Sequence, residues 1–238
     1  DAILDVRFSF EPRRGASLRG RFSMSVLLVN GLSISTPDLR LIEHVSFSLS
    51  PGQFLALVGP SGSGKSLTAQ AIAGVLPRGL KSSGLISGQA DVAYLPQDPI
   101  RSLDPLRTVR WHLAHANTGS SKLSKEDMKE TLALVGLANP EEILNLYPHQ
   151  LSGGMARRVT LAQSMLNSSP FLVIDEPTNG IDPGGIEDLM ALFASIAQQN
   201  VGLLLITHDL PLALRWCTGG LVMDKGTIVE CLESEPWN

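Results

Sequence analysis

The chain has the length and composition of a single α/β domain, not of a fibrous or membrane-spanning protein. Its 238 residues, 43% of them apolar and 18% charged, are enough to bury one substantial core. The net charge of −4 argues against nucleic acid as the main partner, because binding to a phosphate backbone usually needs a basic face. The longest apolar runs are strand-length, well short of the roughly 18 residues that cross a bilayer.

The first residues lie outside the recognisable domain. Residues 1–23 include Arg13, Arg14, Arg19 and Arg21 without helical or strand periodicity. No continuous apolar stretch follows these arginines, as a secretory signal would require. We expect Met24 to be the natural start, residues 1–23 to be a cloning-derived or poorly ordered extension, and the domain to cover residues 24–238.

The next part of the chain predicts two half-buried strands and one fully buried strand. The half-buried strands are Val26 to Val29 and the alternating Val45, Phe47 and Leu49, followed by a Ser-Pro-Gly turn. Phe54 to Val58 is a continuous apolar run that ends in glycine. Such a run is typical of a strand covered on both faces of a sheet.

A phosphate-binding loop follows this buried strand directly. The motif G-x-x-x-x-G-K-[ST] is formed by Gly59, Pro60, Ser61, Gly62, Ser63, Gly64, Lys65 and Ser66. The glycines let the backbone curl so that its N–H groups face phosphates, and Lys65 adds a positive charge. The Ser66 hydroxyl is placed to ligate Mg²⁺. A turn and helix cap with no ligand is the alternative, and the order of strand, loop and helix opposes it.

A helix is predicted after the loop, and a helical region further on. Leu67, Ala71, Ile72 and Val75 repeat at helical spacing until Pro77 ends the run. Between Gln97 and Leu151 the pattern becomes helical and more polar. There, Ser124 to Asp127 resembles a capping box, and Met128, Leu132 and Val135 continue on one face until Gly136. We predict an inserted helical subdomain at about residues 98–160.

The C-terminal part predicts a strand, a helix and a strand, followed by a hairpin. Phe171 to Ile174 and Leu203 to Ile206 are continuous apolar runs, which βαβ units place in parallel. The helix between them carries Ile186, Leu189, Met190, Phe193 and Ile196 at helical spacing. Leu221 to Val229, interrupted at Asp224-Lys225-Gly226, predicts a closing hairpin.

The two cysteines carry no metal or disulfide signature. Cys217 and Cys231 lack CxxC spacing and nearby histidines. We expect buried thiols in a reducing compartment, in preference to a metal site or a disulfide.

Two acidic residues end the strand that begins at Phe171. Asp175 and Glu176 therefore lie at the carboxyl edge of the sheet, where α/β proteins bind ligands. We expect Asp175 to hold Mg²⁺ directly or through water, and Glu176 to polarise an attacking water as a general base. A helix cap or a surface pair is the alternative.

A Ser-Gly-Gly turn between these two motifs changes their meaning. Together with the phosphate loop and the Asp-Glu pair, Leu151-Ser152-Gly153-Gly154-Met155 resembles the signature of the ATP-binding-cassette ATPases, and the resemblance runs from about Val26 to the C-terminus. It implies an α/β fold, with a P-loop NTPase core on a mixed, largely parallel sheet, an N-terminal antiparallel β subdomain and an inserted helical subdomain. It also implies that Ser152, Gly153 and Gly154 cap the γ-phosphate of ATP bound by an opposite subunit.

The same resemblance assigns roles to single residues. His208, in Leu205-Ile206-Thr207-His208-Asp209, matches the histidine that contacts the γ-phosphate. Gln97 matches the glutamine that reaches the metal and the attacking water. Asp182 matches an interface aspartate, although the usual motif before it is altered. No clear counterpart of the adenine-stacking aromatic occurs around Ser35 to Pro37, so stacking on the base stays open.

The motifs and the family resemblance together predict three groups of site residues. The catalytic group is Glu176, His208 and Gln97. The magnesium ligands are Ser66, Gln97 and Asp175. The ATP-binding group is the phosphate loop from Gly59 to Ser66 with Leu67, Ser152, Gly153, Gly154 and Asp182.

Two segments resemble one branch of the family, the importers of peptides and nickel. Met155 replaces the usual glutamine of the signature, and Tyr147 to Arg158 and Gln97 to Pro105 resemble this branch. The resemblance implies the ATP-hydrolysing subunit of a bacterial importer of peptides, nickel or metal chelates, using ATP and Mg²⁺. The short tail after Gly226 favours nickel or a metallophore.

The resemblance also implies the partners and the location. The partners are a related but non-identical ATPase, two transmembrane permeases and an extracytoplasmic solute-binding protein, with no nucleic acid. The subunit would lie on the cytoplasmic face of the bacterial inner membrane, held there through the permeases.

Two functions other than that of a transport ATPase are possible for such a cassette. A soluble cassette ATPase acting in assembly, repair or translation is opposed by the single cassette and the absence of long insertions. A catalytically dead regulatory cassette is opposed by the intact Lys65, Glu176 and His208.

Overall fold

The structure is a computed structural model that describes residues 26–89, 92–116, 123–167 and 169–232. The extension predicted at residues 1–23 and the proposed start at Met24 lie outside these ranges. The described chain has the predicted α/β architecture: a small antiparallel sheet, a larger mixed sheet and helices around the larger sheet.

The antiparallel sheet has the strand order β2-β1-β4. Its strands are β1 (Leu27–Ser35), β2 (Arg40–Leu49) and β4 (Lys81–Ser87). The buried residues of β1 are Leu27, Val29, Leu32 and Ile34, with a register shift between Val29 and Leu32, and this confirms the predicted half-buried strand. The sequence did not predict β4, because most of its residues are polar or glycine and all except Ile86 are exposed.

The larger sheet has the strand order β5-β6-β7-β3-β8-β9. Its strands are β3 (Phe54–Val58), β5 (Val92–Leu95), β6 (Phe171–Asp175), β7 (Gly202–Thr207), β8 (Gly219–Asp224) and β9 (Thr227–Leu232). Neighbouring strands are parallel except for β9, which pairs antiparallel with β8. Every residue of β3, β6 and β7 is buried, as their continuous apolar runs predict.

Alternate residues of this sheet contribute to two different cores. Ala56, Ile174 and Leu205 face the core shared with the helical region. Leu57 and Val173 face the core shared with the antiparallel sheet and α1. The carboxyl ends of β3, β6 and β7 therefore form an edge held from both sides.

Three helices each follow a strand of the larger sheet. They are α1 (Lys65–Ile72), α6 (Pro183–Gln198) and α7 (Leu210–Trp216). The predicted βαβ unit is confirmed, with α6 between the adjacent parallel strands β6 and β7. The extension of α1 to Val75 is wrong: the helix ends at Ile72, Gly74 adopts φ +72°, and Val75 is 52% exposed.

The remaining helices lie between β5 and β6. They are α2 (Val109–Ala114), α3 (Lys125–Leu134), α4 (Pro140–Ile143) and α5 (Gly153–Leu166), with 3₁₀ turns at Ile100–Ser102 and Pro148–Gln150. The capping box is confirmed: the Ser124 N–H donates to Asp127 Oδ2 at 2.9 Å, and the Asp127 N–H donates to Ser124 Oγ at 3.1 Å. None of the helices in the described ranges has the length and apolar character needed to cross a bilayer.

The hairpin of β8 and β9 and the two cysteines complete the fold. Lys225 and Gly226 both have positive φ, at +45° and +84°, as a two-residue type I′ turn requires. Cys217 is buried and Cys231 is exposed, and both thiols are free. The expectation of burial is therefore wrong for Cys231, which lies on the edge strand β9.

Candidate functional site

The phosphate loop connects the carboxyl end of β3 to the first turn of α1. Gly64 precedes the helix at φ +106°, a conformation that favours glycine. A Cβ atom added to Gly59 would lie 2.1 Å from the carbonyl oxygen of Met223. Glycine is therefore required at both positions by the backbone, and the loop lies close against the end of β8.

The side chain of Lys65 folds back onto the phosphate loop. Its ammonium donates to the carbonyl oxygens of Gly59 and Pro60 at 2.8 and 2.9 Å. The residue is only 6% exposed, and burial lowers the pKa of Lys65. Ser63 Oγ is also buried, without a hydrogen-bond partner in the described chain. A buried ammonium beside an unpaired hydroxyl fits a ligand that brings negatively charged oxygens, such as a polyphosphate.

Ser66 and Asp175 meet across the edge of the sheet. The Ser66 hydroxyl donates to Asp175 Oδ1 at 3.0 Å, and Asp175 is 2% exposed. Burial raises the pKa of Asp175, while hydrogen bonds from Ser66 and Tyr94 oppose that shift. A hydroxyl and a carboxylate are ligands that suit Mg²⁺, which usually takes one or two carboxylates together with substrate phosphates. The residues present therefore fit the predicted metal.

Tyr94 is a member of this site that the sequence did not indicate. Its hydroxyl donates to the other oxygen of Asp175, Oδ2, at 3.0 Å. Burial, and next the charge of Asp175, raise the pKa of Tyr94, so the phenol keeps the proton that it donates. The contact depends on β5 lying beside β6, and no periodicity in the sequence reveals this strand order.

Glu176 and His208 form a pair at the ends of β6 and β7. His208 Nδ1 lies 2.9 Å from Oε2 and 3.1 Å from Oε1 of Glu176. The Glu176 side chain is 10% exposed and the His208 side chain 56%, so the histidine lies on the solvent side of the carboxylate. The Glu176 N–H donates to the Ile206 carbonyl at 2.9 Å. The arrangement provides a shielded carboxylate, oriented by an imidazole, that can accept a proton.

Gln97 and Leu67 are not brought into these hydrogen bonds. Gln97 lies in the exposed loop after β5, and its side chain forms no hydrogen bond within the described ranges. The Leu67 side chain packs against the core on the α1 side of the sheet. A nucleotide would therefore meet its backbone before its side chain.

The Ser-Gly-Gly segment begins α5. Ser152 is the N-cap residue, and its Oγ accepts from the Met155 N–H at 3.2 Å. Gly153 and Gly154 lie in the exposed first turn, and a Cβ atom added to either would meet nothing within 4 Å. The N-terminus of this 14-residue helix is thus open to an approaching group, and its free N–H groups favour an anion.

Asp182 lies in the same cleft as the Ser-Gly-Gly segment. The cleft has a volume of about 480 Å³, and its lining includes Ser152, Gly153, Gly154, Arg157, Asn179 and Asp182. Asp182 caps α6, with Oδ2 accepting from the Gly185 N–H at 3.1 Å. No residue of the phosphate loop lines this cleft. The predicted site residues therefore fall into two separate groups within the described chain.

Arg157 connects the two elements that line the cleft. It is 7% exposed, and its Nη2 donates to the Asn179 carbonyl at 3.3 Å. Its Nε has no partner among the residues described. Burial lowers the pKa of Arg157, and the charge of Asp98 opposes that shift. The sequence pattern did not indicate this residue, although it lies three and four positions before the buried Thr160 and Leu161 on α5.

The chain is similar to one protein family and to two transport ATP-binding proteins. Residues 42–179 match the family model described as ABC transporter. The dipeptide transport ATP-binding protein DppD of Haemophilus influenzae is 33% identical, over 87% of this chain and 71% of that protein. The nickel import ATP-binding protein NikD of Rhodospirillum rubrum is 35% identical, over 86% of this chain and 85% of that protein.

Solved structures have the same fold. The ATP-binding subunit of an ABC transporter superimposes with a TM-score of 0.73 and 29% identity, covering 87% of this chain and 89% of that one. The dimeric ATP-binding cassette MJ0796, bound to ADP and phosphate after hydrolysis, gives a TM-score of 0.73 at 22% identity, covering 90% of this chain and all of that one.

Proposed function

The chain belongs to the ABC transporter family, as an ATPase subunit that hydrolyses ATP to drive transport, and we propose that it powers a bacterial importer of peptides, nickel or metal chelates. The observation that carries the proposal is the group at one sheet edge: the phosphate loop, Ser66 with Asp175, and Glu176 with His208. One of the relatives named above belongs to a dipeptide transporter and the other to a nickel importer, so the proposal includes both classes of cargo.

The proposed chemistry divides the ATP site between binding and proton transfer. Lys65, Leu67 and the loop from Gly59 to Ser66 hold the phosphates. Ser66, Asp175 and Gln97 would hold Mg²⁺, which supplies charge neutralisation at the phosphate oxygens. This part of the proposal is supported by the 3.0 Å contact between Ser66 and Asp175.

Glu176 is the proposed general base. It takes a proton from water as the water oxygen bonds to the γ-phosphorus, and the bond from that phosphorus to the bridging oxygen breaks to release ADP and phosphate. His208 orients the carboxylate and contacts the γ-phosphate. The shielding of Glu176 behind the more exposed His208 supports these assignments.

The second group of residues is proposed to complete the site of another subunit. ABC ATPases dimerise and pair with permeases. The open N-terminus of α5, at Ser152, Gly153 and Gly154, would face the γ-phosphate held by the partner, with Asp182 beside it. The separation of this cleft from the phosphate loop supports a head-to-tail arrangement.

The proposed assembly contains a related but non-identical ATPase, two permeases and an extracytoplasmic solute-binding protein. The subunit would be peripheral on the cytoplasmic face of the inner membrane. The helical subdomain at about residues 98–160, which follows Gln97, would transmit closure of the ATPase pair to the permeases.

Purification from the native membrane and reconstitution test this proposal. We expect permeases to co-purify with the chain. We also expect the ATPase activity of the reconstituted complex to rise when binding protein is added with its cargo, tested separately with nickel and with dipeptides. A chain that binds ATP but captures no permease would exclude the transport role. Stimulation by one cargo alone would assign the cargo class.

A further inference from the structure

Both oxygens of the Asp175 carboxylate are held by donors from different parts of the fold. Ser66, at the start of α1, donates to Oδ1 at 3.0 Å. Tyr94, on β5, donates to Oδ2 at 3.0 Å. A carboxylate fixed at both oxygens cannot rotate freely about its terminal bond, so each oxygen keeps a defined direction.

The position of Tyr94 follows from the strand register. Tyr94 pairs with Val173 on β6, and Asp175 lies two residues further along that strand. Residues two apart on a strand share a face, and a long aromatic side chain reaches the diagonal neighbour on the adjacent strand. The pairing of β5 with β6 therefore places the phenol of Tyr94 beside Asp175, and no loop is needed to hold it there.

We propose that Tyr94 is a positioning residue for the magnesium site: its phenol holds Oδ2 of Asp175 and so keeps Oδ1 directed toward Ser66 Oγ, the neighbouring proposed metal ligand. This inference rests on the function proposed above. A partner that orients a metal ligand in this way commonly changes metal affinity by about 10- to 100-fold when it is removed.

Tyr94 also links the two strands that lead to proposed metal ligands. Three residues after Tyr94, the chain reaches Gln97, another of the proposed metal ligands. The hydrogen bond from Tyr94 to Asp175 therefore ties the strand that leads to Gln97 to the strand that carries Asp175. The backbone ladder sets the spacing of these two strands, and Tyr94 adds a side-chain link at the end nearest both proposed ligands.

The test removes only the hydroxyl. Tyr94→Phe is made in a Glu176→Gln background, so that ATP is not consumed, and Mn²⁺ binding in the presence of ATP is followed by electron paramagnetic resonance. We expect Mn²⁺ to bind about 10- to 100-fold more weakly, with a changed spectrum. ATP affinity in EDTA should stay unchanged, because the phosphate loop is untouched. Tyr147→Phe is the matched control, since Tyr147 is the only other tyrosine of the chain and is 40% exposed.

Three results would overturn the inference. Equal Mn²⁺ affinity in Tyr94→Phe and the parent would show that the hydroxyl does not direct the ligand. An equal loss of ATP affinity in EDTA would show a general packing role, and Tyr94→Leu, which also lacks the hydroxyl, would repeat the comparison if Phe lowered the melting temperature. A parent that binds no nucleotide would contradict the proposed function itself, and this inference with it.

Discussion

His208 Nδ1 contacts both oxygens of Glu176, at 2.9 and 3.1 Å, across the ends of the neighbouring strands β6 and β7. Glu176 also has a left-handed backbone, with φ +47°, which costs of order 1–3 kcal/mol for a residue other than glycine. Its N–H is bonded to the Ile206 carbonyl, so the strained conformation is held by β7, the strand that His208 follows. The two residues therefore form one unit.

Removal of the base should separate ATP binding from hydrolysis. In Glu176→Gln we expect turnover to fall by about 100- to 10,000-fold, because the amide cannot accept the proton of the attacking water. ATP affinity should be retained, since the phosphate loop is intact. Steady-state ATPase assays and equilibrium nucleotide binding measure the two effects. Glu187→Gln, which removes an exposed carboxylate paired with Arg215, is the control. Unchanged hydrolysis in Glu176→Gln would refute the assignment.

Removal of the imidazole should act mainly on kcat. In His208→Ala the Glu176 carboxylate loses its orienting contact and the proposed donor to the γ-phosphate is removed, for which we expect a loss of roughly 100-fold in kcat. His115→Ala is the comparison, because that exposed histidine follows α2, where its Nδ1 lies 2.7 Å from the Trp111 carbonyl oxygen. A variant with normal kcat and raised KM would instead indicate a role in ATP binding alone.

The turn between β8 and β9 should be sensitive to a single methyl group. A Cβ atom on Gly226 would lie 2.3 Å from the Leu41 carbonyl oxygen, whereas one on Gly79 would meet nothing within 4 Å, and both glycines have positive φ. We expect Gly79→Ala to cost about 1–2 kcal/mol from backbone strain alone. Gly226→Ala should cost a further 1–3 kcal/mol or so from the clash.

Urea unfolding at equilibrium compares the two glycine variants. The Gly226 N–H also donates to the Ser63 carbonyl at 2.9 Å, so Gly226→Ala should weaken ATP binding and Gly79→Ala should not. Equal stabilities for the two variants would contradict the close approach to Leu41.

The buried arginine of the cleft should control the loop that it contacts. In Arg157→Gln we expect faster amide hydrogen exchange between residues 179 and 182, because the donor to the Asn179 carbonyl is lost. Turnover should fall several-fold without a change in ATP affinity. Arg110→Gln is the control, since Arg110 is exposed and bonds to Asn145 in the helical region. Protection that is lost throughout α5 would instead indicate general unfolding of the helix.

The two cysteines should differ sharply in reactivity. Burial raises the pKa of the Cys217 thiol to about 12, and Cys231 is exposed on β9. A thiol-specific reagent at mild alkaline pH should therefore modify one thiol rapidly in the native protein and both after unfolding. The rapid phase should disappear in Cys231→Ser and remain in Cys217→Ser. A rapid phase that survives Cys231→Ser would contradict the burial of Cys217.

The sequence predicted those parts of the fold that have an apolar pattern of their own. β3, β6 and β7 are continuous apolar runs, and the capping box at Ser124 is a local motif. β4 has no apolar pattern of its own, because nearly all its residues are exposed and the strand is held by pairing with β1. Val75 fits the helical period, but the glycine before it ends the helix.

The site was predictable to the same extent. Ser66, Asp175, Glu176 and His208 follow buried strands or belong to motifs, so sequence order alone locates them. Tyr94 and Arg157 act through neighbours that are distant in sequence: the hydroxyl of Tyr94 reaches Asp175 because β5 lies beside β6, and Arg157 on α5 reaches Asn179 in the loop between β6 and α6. Such contacts depend on tertiary structure, which a local pattern does not encode.

The phosphate loop and the cleft at Ser152 share no lining residue, so damage to one leaves the other intact. Lys65→Ala would disable the loop, and Gly153→Arg would block the cleft at a position where an added side chain meets no neighbour. If this chain pairs with itself, a mixture of the two variants contains pairs with one undamaged composite site, formed by the loop of one chain and the cleft of the other. Recovery of ATPase activity on mixing, a form of intragenic complementation, would therefore reveal whether this chain pairs with itself, and its absence would point to an obligate foreign partner.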